Sequence, residues 1–389
     1  MKKLVVILCM LGVLFGEGEK SLVERGAEAF EKRDYETAIR FWKQACDKKN
    51  GAGCRNLASA YFVGAGVEQD FKKARENLSK ACDFGDGEGC EIFSNFIDDR
   101  KEVEQYINKA MKFSKKACDK KDARACFHLG VMYDEGRNIK KDISKAVEFY
   151  TQSCELGYAF GCNILGNLYD KGEEIAEDRA KAVELYQKAC SGGSASGCRN
   201  LGVLYASGNG VKQDILKASE LFDKSCNLGT DMACFYIANF YYEGEKIKQD
   251  KSRAVEFYQR ACDKGNSSAC VKVGYIYDTG DGIKQDKFKA VEFYTMACDD
   301  GVIIGCYNLG NKYMNGEGVK QDSFKAVELY KIACDIDYGM ACNNLGVMYE
   351  NGRGIKQDKY KAKTLFGKAC DLKNELGCKN YARLNEAGY

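Results

Sequence analysis

The residues best able to do chemistry in this chain of 389 are its 21 cysteines; there is one histidine, His128, and no proline. Cys9 stands alone. The others form two series. One holds Cys46, Cys82, Cys118, Cys154, Cys190, Cys226, Cys262, Cys298, Cys334 and Cys370; the other holds Cys54, Cys90, Cys126, Cys162, Cys198, Cys234, Cys270, Cys306, Cys342 and Cys378. Each advances by 36 residues without a slip, and together they read Cys-x7-Cys in every unit. A thiol–disulfide catalyst wants Cys-x-x-Cys, which is absent. A structural zinc site favours closely spaced knuckles, which this ladder does not offer. Disulfide formation remains, each cysteine of the first series joined to the one eight residues on. A single histidine also excludes multi-histidine metal centres. No metal and no cofactor is expected.

Disulfides persist outside reducing compartments. Residues 1–16, MKKLVVILCMLGVLFG, suggest the route: Lys2 and Lys3, an apolar run from Leu4 to Phe15, then the small residues Gly16 and Gly18. That is the plan of a secretory signal peptide, too short to span a bilayer. Cys9 would leave with it, so the remaining cysteines are even in number. No later stretch is apolar enough for a membrane span. The expectation is an exported protein, periplasmic or extracellular. Lys+Arg 59 against Asp+Glu 57 is too even a balance for a nucleic-acid scaffold.

The residues between the cysteines say what must hold them in register. In residues 304–339, IGCYNLGNKYMNGEGVKQDSFKAVELYKIACDIDYG, Leu309, Gly310 and Tyr313 follow Cys306 at helical spacing. Gly316 to Val319 breaks that helix. Asp322 is a natural N-cap for a second one, whose Ala326, Tyr330, Ala333 and Cys334 share a face. The N-cap recurs at Asp34, Asp70, Asp142, Asp178, Asp214, Asp250, Asp286 and Asp358. Glycine three residues past the cysteine closes many second helices, as at Gly85, Gly157, Gly193, Gly229, Gly265 and Gly301. The first helices carry Gly130, Gly166, Gly202, Gly274, Gly310 and Gly346 at one position, with Ala58, Ser94, Ala238 and Ala382 as substitutes. Glycine inside a helix costs about 1 kcal/mol against alanine, so its recurrence needs a steric reason. Close helix approach is the expected one, with tyrosines of the Tyr133, Tyr169 and Tyr205 type filling space beside it. The predicted fold is all-α: a right-handed α/α solenoid of 36-residue helix-turn-helix repeats, stapled by one disulfide per repeat.

The pattern Asn-Leu-Gly-x-x-Tyr, then Gly-x-Gly-Val-Lys-Gln-Asp, then Lys-Ala-x-Glu-x-Tyr-x-x-Ala-Cys resembles the Sel-1-like repeat, a relative of the tetratricopeptide repeat with a longer inter-helix loop. With Cys-x7-Cys in every unit, the chain is similar to the secreted Helicobacter cysteine-rich protein family over residues 20–389. The expected organisation is a signal peptide at 1–16, a tetratricopeptide-like capping hairpin at 17–51, nine repeats at 52–375 and a capping half-repeat at 376–389. Residues 88–123 lose the Gly-x-Gly loop and carry Ile97 and Arg100 where tyrosine and glycine are usual, which predicts a local distortion. The resemblance also implies a penicillin-binding protein with slow β-lactamase activity, a β-lactam being its ligand. The residues do not spell that out. No serine has lysine three positions on, Lys363-Thr364 is followed by Leu365 rather than glycine, and one histidine cannot build a metallo-enzyme. Catalytic residues are therefore unknown. His128 stands where other repeats carry asparagine and reads as a surface substitution.

Binding has more support in the residues. In a two-helix solenoid the first helices line the concave surface. Their outward face varies between repeats, as in Phe235, Asn239 and Tyr242 against Tyr307, Asn311 and Met314. Asparagine offers both a donor and an acceptor, which suits an extended peptide backbone. The candidate ligand-binding residues are Asn56, Asn167, Asn200, Asn239, Asn308, Asn311 and Asn344. The expected function is a monomeric exported scaffold that binds a peptide, a protein or a peptidoglycan fragment in its concave groove. The Val-Lys-Gln-Asp loops read as turn and cap chemistry.

Overall fold

The computed structural model describes residues 20–389 apart from 137, 245 and 246, so the predicted signal segment and Cys9 lie outside the described residues. Among the described residues there are 21 α-helices and no strand. They fall into two compact units, one ending at Gly193 and one beginning at Ser194. The first unit holds α1 (Leu22–Glu31), α2 (Tyr35–Asp47), α3 (Gly51–Val63), α4 (Phe71–Asp83), α5 (Gly87–Ser94), α6 (Arg100–Asp119), α7 (Ala123–Glu135), α8 (Ile143–Glu155), α9 (Ala159–Lys171) and α10 (Arg179–Ser191). The second holds α11 (Ala195–Ser207), α12 (Ile215–Asn227), α13 (Asp231–Glu243), α14 (Lys251–Asp263), α15 (Ser267–Thr279), α16 (Lys287–Asp299), α17 (Ile303–Asn315), α18 (Ser323–Asp335), α19 (Gly339–Asn351), α20 (Lys359–Asp371) and α21 (Glu375–Glu386). Within each unit, successive helices pack on one another as an α/α solenoid.

Local chemistry explains where helices start and stop. Asp322 accepts the backbone N–H of Phe324 and Lys325 at 3.0 and 3.1 Å, and Asp250, Asp286 and Asp358 do the equivalent. The glutamine before each cap works on the helix behind it. The Gln321 amide donates to the Met314 carbonyl at 2.7 Å, and Gln285, Gln249, Gln213 and Gln357 repeat the bond. It thus satisfies a carbonyl that the end of the first helix leaves without an intrahelical partner. The second loop glycine has a different task. A Cβ on Gly318 would lie 2.0 Å from the Lys287 carbonyl oxygen and one on Gly354 2.2 Å from that of Ser323, so these loops rest directly on the first turn of the preceding second helix.

The helix pairs close over their glycines, but not with the tyrosines that the sequence suggested. The ring lying against Gly310 belongs to Tyr330 on the partner helix, where a Cβ would meet Cε1 at 2.8 Å. Tyr150 covers Gly130, Tyr186 covers Gly166, Phe222 covers Gly202, Tyr294 covers Gly274 and Phe366 covers Gly346. Tyr133 instead stacks on Phe149 at 5.8 Å, and Tyr241 stacks on Phe257 at 5.9 Å. The reason is geometric. A ring can cross a helix axis closely only where that helix carries a small residue, usually glycine and once Ala238 beneath Tyr258, so that position selects a ring from the facing helix.

Nine cysteine pairs eight residues apart are disulfide-bonded, with Cα–Cα distances from 4.4 to 4.9 Å. Cys190 and Cys198 are disulfide-bonded cysteines as well. The bonds tie the end of a second helix to the first turn of the next helix. The turn between them needs one left-handed residue, for example Gly265 (φ 92°) or Gly301 (φ 82°), though Lys49, Lys121, Asp337 and Lys373 take it too. The predicted distortion is present. α5 has 8 residues and α6 has 20, where a regular repeat has two helices of 13. Without a Gly-x-Gly loop, Asp99 caps the second helix early, and the extra turns fall to α6.

Candidate functional site

The asparagines of the first helices are largely engaged with the protein itself. Asn311 accepts the Tyr330 hydroxyl at 2.7 Å, Asn239 accepts that of Tyr258 at 2.5 Å, and Asn167 accepts that of Tyr186 at 2.8 Å. Each follows the small residue over which the ring lies, so the hydroxyl emerges beside the asparagine. Burial pushes the Tyr330 hydroxyl up to about 12, which keeps it a donor at any ordinary pH. Asn344 donates to Asn311 at 3.3 Å and Asn380 donates to Asn343 at 2.9 Å, linking neighbouring repeats. The Arg199 guanidinium donates to Asn200 at 3.2 Å. Asn56 is buried, and its Oδ1 meets no donor among the described residues. Asn308 is half-buried and makes no side-chain hydrogen bond among the described residues. On α17 it lies between Tyr307 and Asn311, on the face predicted to bind.

The first unit holds a polar cluster that the sequence reading missed. His128 is not a surface substitution: it is 8% exposed, on α7. Its Nδ1 lies 2.8 Å from the Ser114 hydroxyl, and its Nε2 lies 2.5 Å from a Glu91 carboxylate oxygen. The space comes from the distorted repeat. Ser114 occupies the register of Tyr150 and Tyr330, and Ser94 occupies the glycine register opposite. With no ring there, the imidazole fills the gap. Around it, Arg55 pairs with Asp86 at 2.9 Å and with Glu88 at 3.1 Å, and Arg124 also reaches Glu88. Burial opposes a charge on His128, but the Glu91 carboxylate outweighs it, helped by Glu88 and Asp86, and holds the imidazole above its usual range. The signal was present in the composition: the single histidine falls beside the one irregular repeat.

Serine, histidine and glutamate are the residue types of a hydrolase, but this arrangement is an enclosed polar pairing rather than an accessible nucleophile. Ser114 is 3% exposed, and its oxygen is wedged against α5, where a Cβ on Gly87 would lie 2.1 Å away. No substrate carbonyl can approach it there. In the second unit, Lys312 is buried between Asp278 and Glu317, another charge pairing that periodicity could not show, because other repeats place an apolar residue at that register, such as Phe240, Ile276 or Met348. No group of three or more His, Cys, Asp or Glu able to hold a metal occurs among the described residues. No helix among them is long and apolar enough to cross a membrane. Two clefts of the second unit lie at the loops. One of about 650 Å³ is lined by Tyr313, Lys320, Phe324 and Gly354, and one of about 550 Å³ is lined by Tyr205, Lys212 and Leu216.

The profile of the Sel1 repeat matches residues 8–50, 51–86, 102–122, 123–158, 159–194, 195–230, 231–266, 267–302, 303–338 and 339–374. It skips residues 87–101, where α5 is short. A Helicobacter pylori protein named putative beta-lactamase HcpC is 38% identical over 66 residues, 17% of this chain and 23% of that one. Another from Helicobacter pylori, named beta-lactamase HcpA, is 39% identical over 67 residues, 17% of this chain and 27% of that one. The matched stretch thus spans about a quarter of these relatives. Among solved structures, a Sel1 repeat protein from Oxalobacter formigenes is similar with a TM-score of 0.58 and 24% identity, covering 79% of this chain and 90% of that chain.

Proposed function

Since the chain belongs to the Sel1 repeat family, we propose that it is an exported, disulfide-stapled scaffold that binds a peptide, a protein or a cell-wall fragment along the faces of its first helices. The family fold is of a protein-interaction type, and disulfide pairing in every repeat suits life outside the reducing cytoplasm. The observation that carries the reading is on α17. Tyr307, Asn308 and Met314 are half-exposed beside the packing residues Leu309 and Gly310, which are buried. Asn308 keeps a donor and an acceptor available, flanked by apolar side chains, as an extended backbone would need. A hydrolase reading finds no such observation: the one serine bonded to a histidine is enclosed.

The test is selection from a random peptide display library, and from a set of soluble muropeptides, with the oxidised protein. Binders should emerge whose affinity falls roughly 5- to 150-fold in Asn308→Ala, the cost of about 1–3 kcal/mol for losing a partner of a buried hydrogen bond. Circular-dichroism melts should be unchanged. If neither collection yields a binder, or if binders ignore Asn308→Ala and Tyr307→Ala alike, the assignment to this face is wrong. Turnover of a chromogenic β-lactam by the same preparation would instead support the hydrolase.

A further inference from the structure

We infer that the loop edge of the second unit is a docking surface for an extended acidic peptide bearing apolar side chains. The inference rests on the scaffold reading but uses a different face of the protein. Phe288, Phe324 and Tyr360 occupy one register, the second residue of α16, α18 and α20, and are 76%, 72% and 67% exposed. The fold does not require a ring there, because Ser144, Ala180 and Ser252 hold the same register in other repeats. Three consecutive repeats therefore expose large rings to water; Tyr360 meets Tyr389 edge-on at 5.7 Å, but packing does not explain Phe288 or Phe324.

Charge says what would cover them. Four residues before each ring stands a lysine, Lys284, Lys320 or Lys356. All three are exposed, and no carboxylate pairs with them among the described residues. The carboxylates of this edge are occupied elsewhere. Asp286, Asp322 and Asp358 accept helix N–H groups. Lys312 and Lys287 hold Glu317 below the usual carboxylate range, and Lys251 and Tyr242 do so for Asp281. Among the described residues, these three lysines are charged side chains of this edge that make no hydrogen bond or ion pair. The cleft of about 650 Å³ between the loops has Lys320 and Phe324 in its wall, so a cation and a ring face one space. A partner that satisfies both needs carboxylates interleaved with apolar side chains, and it must be extended to run from repeat to repeat. A single-stranded nucleic acid would also bring charge and bases that stack on rings, but the chain's even balance, Lys+Arg 59 against Asp+Glu 57, lacks the basic excess such a binder carries.

The probe is a fluorescein-labelled peptide of repeated Glu-Glu-Leu, with Lys-Lys-Leu and Glu-Glu-Ser repeats as controls, titrated by anisotropy against the oxidised full chain. The Glu-Glu-Leu peptide should bind, added salt should weaken it, and the controls should not bind. Replacing all three rings (Phe288→Ser, Phe324→Ser, Tyr360→Ser) should lower affinity by about tenfold or more, while the thermal melt changes little, because the rings are mostly in water and only the Tyr360 contact with Tyr389 is lost. Equal binding of any control, or an unaffected triple variant, overturns the inference. So does single-stranded DNA competing as well as the peptide, or sedimentation showing self-association that the triple variant abolishes, which would make the occupant a second copy. Binding lost in Asn308→Ala but kept in the triple variant would leave the first-helix reading standing and this one refuted.

Discussion

Alanine at Gly318 and at Gly301 separates two reasons for which a chain uses glycine in a left-handed turn. Both glycines have positive φ, 69° and 82°. Forcing alanine into that region costs about 1–2 kcal/mol, and both variants incur it. The surroundings differ. At Gly301 a Cβ meets nothing within 4 Å. At Gly318 it would stand 2.0 Å from the Lys287 carbonyl oxygen and 2.9 Å from the Phe288 nitrogen. Ordinary contact begins near 3.4 Å, so the loop must retreat by about 1.4 Å from atoms that are backbone and cannot rotate aside. Overpacking of that kind adds about 1–3 kcal/mol. Gly301→Ala should therefore lose about 1–2 kcal/mol and Gly318→Ala about 2–5 kcal/mol. The excess belongs to one junction, because a solenoid couples only near neighbours. Denaturant unfolding measures the two losses. Hydrogen exchange should place the added loss on the first turn of α16 and the loop after α17. Equal losses in the two variants, or protection falling evenly across the second unit, would refute the reasoning.

Removing one staple by Cys226→Ala with Cys234→Ala should cost about 2–3 kcal/mol, the entropy of reopening a short loop, with exchange rising in α12 and α13; collapse of all helix in the unit would contradict it. Lys121 holds a left-handed φ of 66°. Lys121→Gly relieves that strain against a smaller gain in unfolded-chain freedom, for a net stabilisation of about 0.5–1 kcal/mol, and an unfolding midpoint at or below wild type would show the turn to be relaxed. The raised pKa of His128 means that its contribution is complete below its ordinary 6.5 and is lost as pH climbs through the higher folded value. Stability of the first unit should therefore fall above about pH 6.5 in wild type, but not in His128→Asn; parallel profiles would place the charge elsewhere.

The features legible in the sequence are those set by neighbours along the chain. A cysteine and its partner stand eight residues apart across one turn, so period and local geometry together specify the bond. Asp322 caps the helix that begins at the next residue. Such contacts recur with the repeat because they need nothing outside it. Irregularity was legible too, since losing Gly-x-Gly in residues 88–123 left one early cap and one long helix. What the tertiary structure decided involves residues farther apart. Tyr150 rather than Tyr133 covers Gly130, because helix crossing chooses the ring. The second loop glycine looked like turn chemistry, but its constraint comes from the backbone of another repeat. Asn239 and Asn311 looked available for a ligand, but tyrosine hydroxyls 19 residues away reach their oxygens. His128 became a buried imidazole held by a carboxylate only because Ser114 vacated the place of a ring and Glu91 arrived from the preceding repeat. Periodicity specifies what every unit shares, whereas burial and pairing at one position depend on which side chains packing brings to it.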